Sequence, residues 1–238
     1  MQVTDHVYLL SGAGYGQVGN VYAILNEDKL FLIDAGKDQP ALDIIKESLV
    51  DHHLDQYPIT HVLLTHMHLD HSGNAWYFRE QGAKIMISEE DAHGVENGGV
   101  AVNDYGIFPF YPCKVDEFIR DGETLNINGV EITAMLVPGH TNGGMFFMFE
   151  IDGKTMCATG DTVLPLPGEF DRGFEASLGW MGSSELDGDL YIQGLTKALS
   201  IKCDILLCGH GVPVMKNGDH IIKMGLRLAI RMFRNKQP

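Results

Sequence analysis

The sequence predicts an α+β fold: two mixed β-sheets packed face to face, with helices on both outer faces. Strand-like apolar runs alternate with helix-like periodicity in both halves of the chain. The second half repeats the style of the first without repeating its residues. A 45% hydrophobic share against 21% charged residues supplies the apolar material for a substantial core. The 238 residues are read as a single domain, 1–238.

In the first half, residues 7–10, 21–25 and 30–33 read as strands, each bounded by Gly, Asn or Asp. Pro40 suits the first turn of a helix over 41–49. A strand over 61–64, a helix over 73–81 and a strand over 84–88 follow, then a short acidic helix. Segment 97–112 is Gly-rich, aromatic and aperiodic, the mark of a long functional loop or a disordered one. In the second half, strands over 131–136, 145–151 and 155–158 precede a second irregular loop, 164–183. A helix near 190–199, a strand over 204–207 and an amphipathic helix over 221–234 complete the pattern.

Net charge is −15, from 17 basic and 32 acidic residues, an excess that repels phosphate backbones and argues against a nucleic-acid partner. No apolar run is long enough to cross a bilayer, so no membrane partner is expected. The first residues show no basic region followed by an apolar one, and the four cysteines lack Cys-x-x-Cys spacing. A cytoplasmic protein with buried thiols is the expectation.

The chemistry is concentrated in His66-Met67-His68-Leu69-Asp70-His71, directly after an apolar run. Neutral imidazole and carboxylate are ligands for zinc and iron. If this stretch continues the strand, His66 and His68 share a face while Met67 and Leu69 point into the core. Four donors this close crowd one tetrahedral ion but can divide between two, so further donors are expected at other strand ends. Three occur: His140, Asp161 and His210, each preceded by a glycine where backbone can approach closely.

With these motifs in this order, the chain resembles the metallo-β-lactamase-fold superfamily, specifically its dinuclear hydrolases of the glyoxalase II and lactonase kind. The resemblance runs from Leu32-Ile33-Asp34-Ala35-Gly36 to His210 and implies a four-layer αββα sandwich. It implies that His66, His68 and His140 hold one divalent metal, that Asp70, His71 and His210 hold a second, and that Asp161 bridges them. Zinc is the first choice, with iron or manganese as alternatives. Asp34 would orient the metal-binding loop from behind. The implied reaction is hydrolysis of an ester, thioester or lactone carbonyl by hydroxide shared between two cations, with Asp70 doubling as proton shuttle.

Departures narrow the group. Flavodiiron proteins carry glutamate where this chain has His68, and persulfide dioxygenases carry Gly-Arg-x-Asp where it has Thr159-Gly160-Asp161. β-Lactamases of the fold usually lack a bridging aspartate, and ribonuclease Z-like enzymes bind polyanions. Acyl-homoserine lactonases place tyrosine at the position of Leu164. Glyoxalase II binds glutathione partly through an added C-terminal region, for which the residues after His210 are too few. Lys223, Arg227, Arg231 and Arg234 form a basic stripe at helical spacing, read first as a solvated face and alternatively as a site for an anionic substrate. Tyr15, Phe108, Phe110, Tyr111, Phe174, Trp180 and Met181 are candidates for an apolar substrate pocket above the metals, with ordinary packing or a homodimer contact as the alternative. A small-molecule substrate is the expected partner. An iron-dependent oxidoreductase and a non-catalytic metal-containing ligand sensor are the rival functions.

Overall fold

Successive side chains of a strand face opposite sides, and in the first half of this chain both sides are apolar. In β1 (Val7–Ser11), Val7 and Leu9 enter one cluster of buried side chains while Tyr8 and Leu10 enter another. β3 (Lys29–Ile33) divides Phe31 and Ile33 from Leu30 and Leu32 in the same way. A sheet apolar on both faces has to be covered on both, which forces a layered architecture. The computed structural model, which describes residues 1–14, 16, 18–103, 108–167 and 173–234, supplies the covering layers.

Among the described residues, the first sheet has six strands in sequence order: β1, β2 (Val21–Asn26), β3, β4 (Ile59–Leu63), β5 (Lys84–Ser88) and β6 (Glu117–Ile119). Pairing is antiparallel from β1 to β3 and parallel thereafter. Parallel neighbours need crossovers. These are α1 (Gln39–Asp51), the pair α2 (Leu69–Ser72) and α3 (Ala75–Glu80), and α4 (Ala92–Asn97). The start of α1 is fixed by Asp38, whose carboxylate accepts from Ala41 N at 3.2 Å, and by Pro40 in the first turn. Its inner face, Ala41, Leu42, Ile45 and Leu49, is buried.

Among the described residues, the second sheet has five strands. An antiparallel meander of β7 (Thr124–Ile127), β8 (Val130–Leu136), β9 (Met145–Ile151) and β10 (Lys154–Gly160) is joined by β13 (Ile205–Cys208), parallel to β10. A hairpin of β11 (Leu164–Pro167) and β12 (Phe174–Ser177) and the helix α5 (Gly188–Ala198) lie between β10 and β13, and α6 (Gly218–Arg234) follows. Three apolar clusters separate four layers: helices α1, α3 and α4 against the first sheet, sheet against sheet, and the second sheet against α5 and α6. This is the expected αββα sandwich.

Three features correct the sequence reading. β4 ends at Leu63, so His66 and His68 lie in the connection beyond the strand, and His68 stands just before the one-turn helix α2 without capping it through its side chain. Met67 and Leu69 are nevertheless core residues, as expected. Segment 164–183 is not wholly irregular, since β11 and β12 pair across it. Its strand pattern is masked by Pro165 and Pro167 and by packing against α6 rather than a main sheet. β6 and β7 are short and half exposed, too weakly patterned to be read. Among the described residues no helix is long and apolar enough to cross a membrane. All four cysteines are free thiols, and Cys157, Cys203 and Cys208 are buried.

Candidate metal centre

The donors collect where the ends of β3, β4, β8, β10 and β13 converge. The chain leaves β3 through Asp34, whose left-handed backbone (φ +64°) turns its carboxylate under the next loop. That carboxylate accepts from Thr65 N at 2.7 Å, from the Thr65 hydroxyl and from His71 Nδ1 at 2.8 Å. His71 Nδ1–H is thereby committed to Asp34, and Nε2 is left as the coordinating nitrogen. Thr65 does the same for His66: its oxygen accepts from His66 Nδ1 at 3.0 Å while its proton goes to Asp34, leaving Nε2 open.

A second buried acid ties two loops together. Asp91 Oδ2 accepts from Met67 N at 2.9 Å and from Thr141 Oγ1 at 2.8 Å, and Oδ1 accepts from Gly143 N at 2.7 Å. It stands at the start of α4 yet makes no side-chain cap there, so its carboxylate serves the His66–His71 loop and the His140 loop instead. Burial pushes its carboxyl up to about 6. The His210 loop is held by buried Asn20, whose side-chain amide donates to the carbonyls of Cys208 and Gly211 at 2.8 and 2.9 Å. Gly209 lets this loop reach Asp161, since a Cβ there would overlap Asp161 Oδ1.

Among the described residues, the donors form two groups, His66, His68 and His140, and Asp70, His71, Asp161 and His210. Within each, ligand atoms lie within 4.8 Å of one another, and every member is buried. Asp161 faces both groups: its carboxylate is 3.1 Å from His210 Nε2, 3.2 Å from His71 Nε2 and 3.8 Å from His140 Nε2. Asp70 Oδ2 is 3.1 Å from His210 Nε2. All seven expected ligands are therefore brought together.

The two groups differ electrostatically. Burial, reinforced by neighbouring imidazoles, holds His66 well below the ordinary histidine range and His140 down at about 3. These rings are neutral, and His66 Nε2 and both nitrogens of His140 are buried without a hydrogen-bond partner. Buried polar atoms are rarely left this way, and a cation is the partner such a cluster fits. In the other group burial opposes charge but loses. Asp161 and Asp70 lift His71 well above its usual range, and Asp161 lifts His210 to about 10. Against the same burial, His71 and His210 hold Asp70 at about 2 and Asp161 well below the carboxylate range. Two protons on imidazoles thus offset two carboxylates where a divalent cation would do the same.

The aromatic candidates are dispersed. Phe108 and Phe110 pack against the first helix layer, and Phe174 and Met181 pack against the α5–α6 layer. Phe108 and Tyr111 also line a cleft with Lys37 and Trp76. Trp180 is exposed beside Gly182, and Tyr15 lies outside the described residues. Sequence reasoning missed Thr65, Asp91 and Ser183, whose hydroxyl is 3.4 Å from His68 Nε2. Asp91 is flanked by Glu89 and Glu90, and nothing in the sequence marks which of the three turns inward.

The family model described as the metallo-beta-lactamase superfamily matches residues 14–224. An atrochrysone carboxyl ACP thioesterase of Aspergillus fumigatus is 28% identical over 195 residues, covering 82% of this chain and 51% of that protein. A probable metallo-hydrolase of Streptococcus pyogenes is 26% identical over 151 residues, covering 60% of this chain and 61% of that one. The chain spans about half the length of the first curated relatives it matches. Among solved structures, a subclass B3 metallo-beta-lactamase of Bradyrhizobium japonicum superposes with a TM-score of 0.74 at 21% identity, covering 98% of this chain and 92% of that one. That likeness is one of fold.

Proposed function

The chain belongs to the metallo-beta-lactamase superfamily, and from that premise we propose that it is a dinuclear metal-dependent hydrolase whose substrate is an acyl thioester, with esters and lactones as chemically related alternatives. The observation that carries this reading is the pairing of a three-imidazole group, in which His66 and His140 are held neutral, with a two-carboxylate, two-imidazole group around Asp161. His66, His68 and His140 would hold one cation, and Asp70, His71 and His210 the other, with Asp161 between them. Bound cations supply Lewis acidity, lowering the pKa of water and polarising a carbonyl. The thioester preference draws on the relatives named as thioesterases.

The chain's own residues would do the rest. Asp34 and Thr65 fix the tautomers of His71 and His66, so both rings present Nε2. Asp91 keeps the His140 loop in register with the His66–His71 loop. Asp70, its carboxylate at the edge of the mixed donor group 3.1 Å from His210 Nε2, would accept a proton from the attacking water and return it to the departing thiolate, giving a carboxylic acid and a thiol.

The test is a panel of acyl thioesters, esters and lactones on zinc-, iron- and manganese-reconstituted protein, with oxygen consumption followed in parallel. Thioester hydrolysis that is indifferent to oxygen and lost in Asp70→Ala is the expected result. Oxygen-dependent turnover, or no hydrolysis with any metal, would overturn the reading.

A further inference from the structure

The basic stripe of α6 divides in the fold. Lys223 is engaged by Asp219 at 2.6 Å, and of the arginines elsewhere Arg79 pairs with Asp116 and Arg120 approaches Glu89. Arg227 and Arg231 have no carboxylate partner among the described residues, although acids outnumber bases 32 to 17. Four residues apart on one helix, their stems leave the same face about 6 Å from each other. Both line one cleft of about 400 Å³ between α6 and β12, with Ala176, Met224 and Leu228 as apolar wall and Glu175 at its side.

This cleft is joined to the metal centre by a few residues of chain. β12 runs on to Gly179, which packs so closely on Asp161 that a Cβ would overlap the Asp161 carbonyl and lie 3.0 Å from His140 Cε1. Ala176 and Gly179 are three residues apart, at most about 10 Å of extended backbone. The cleft and the donors therefore lie at the two ends of one short segment.

We propose that Arg227 and Arg231 form an anion subsite for the phosphate of a phosphopantetheine thioester, the acyl-bearing sulfur reaching the metal centre. The proposal rests on the thioesterase reading and assigns its thiol portion. Two guanidinium forks match phosphate oxygens better than a single carboxylate. The apolar wall suits the hydrocarbon beside that phosphate, and a flexible arm is long enough to bridge the three residues of chain between cleft and donors. With Lys223 neutralised and a net charge of −15, the cleft fits one small anion rather than a broad acidic protein face.

Calorimetric binding of phosphopantetheine and of pantetheine to the metal-loaded protein tests the subsite independently of turnover. The phosphorylated compound should bind at least about tenfold more tightly. Arg227→Ala/Arg231→Ala should collapse that ratio toward one, and Glu175→Gln should raise affinity for the phosphorylated compound alone. In kinetics, the preference for acyl-phosphopantetheine over acyl-pantetheine should collapse through KM. An arm with acyl-coenzyme A and one with an acyl carrier protein identifies the source, since loss of the preference with either supports the subsite. Equal binding of the two compounds, or a preference that survives the double substitution, overturns it. A phosphate preference in binding without any thioester hydrolysis would sink the thioesterase reading and leave the anion subsite standing.

Discussion

Asp34 Oδ2 and His71 Nδ1 lie 2.8 Å apart, both buried, with Asp34 at a backbone φ of +64°. Histidine orientation in the mixed donor group is therefore set from β3, outside the donor loop itself. Asn tolerates the left-handed conformation and Ala does so poorly, so Asp34→Asn isolates the electrostatic role. It should lower metal affinity about 10–100-fold, read by chelator competition, with a fold near wild type by circular dichroism. Asp34→Ala should add a loss of stability.

The two donor groups should respond differently to pH. In the metal-free protein His210, lifted to about 10, and His71 carry protons at neutral pH, whereas His66 and His140 do not. A cation entering the mixed group must displace protons, so for each proton displaced its affinity should fall about tenfold with every unit by which the pH drops. At the three-imidazole group, where His66 and His140 are already unprotonated, affinity should depend less steeply on pH. Zinc titrations in buffers of different ionisation enthalpy should show greater proton release for one equivalent than for the other.

The same shifts shape the stability of the metal-free protein. A raised His210 stabilises fully below the ordinary histidine value, and that contribution is lost as pH rises through about 10. A depressed Asp70 stabilises above the ordinary aspartate value, and its contribution is lost as pH falls through about 2. Thermal melts of the metal-free protein should therefore peak between about pH 4 and 6.5 as far as these groups govern it.

Asp91→Ala should strip three buried donors of their acceptor, the amides of Met67 and Gly143 and the Thr141 hydroxyl. The cost is about 3 kcal/mol, a fall in Tm of roughly 6–12 °C for a chain of this size. Metal analysis should show the three-imidazole group weakened, because it draws ligands from both of the loops that Asp91 joins.

Gly209→Ala should act on the centre without replacing a donor. The added methyl overlaps Asp161 Oδ1 and the Gly160 backbone. A displaced Asp161 should cost about 10²-fold in kcat/KM, with bound metal per chain reduced.

The donors were legible because four of them fall within six residues and the other three each follow a glycine. The strands of both main sheets were legible wherever apolar residues occupy both faces, as in β3 and β9. What escaped is tertiary. Thr65 and Asp91 act through hydrogen bonds to segments far away in sequence, and β11–β12 hides its alternation behind two prolines. The aromatic loops were ambiguous for a related reason. Composition places Phe108 and Phe174 in loops, but only packing directs them onto helix layers at opposite sides of the molecule.

The seven donors divide four to three between the sheets, His66 to His71 following the first and His140, Asp161 and His210 belonging to the second. A cation held between them would be a clasp joining the two sheets where their strands end. Loss of order in either half would open the clasp, and filling it would weld two sets of strands into a single cooperative unit.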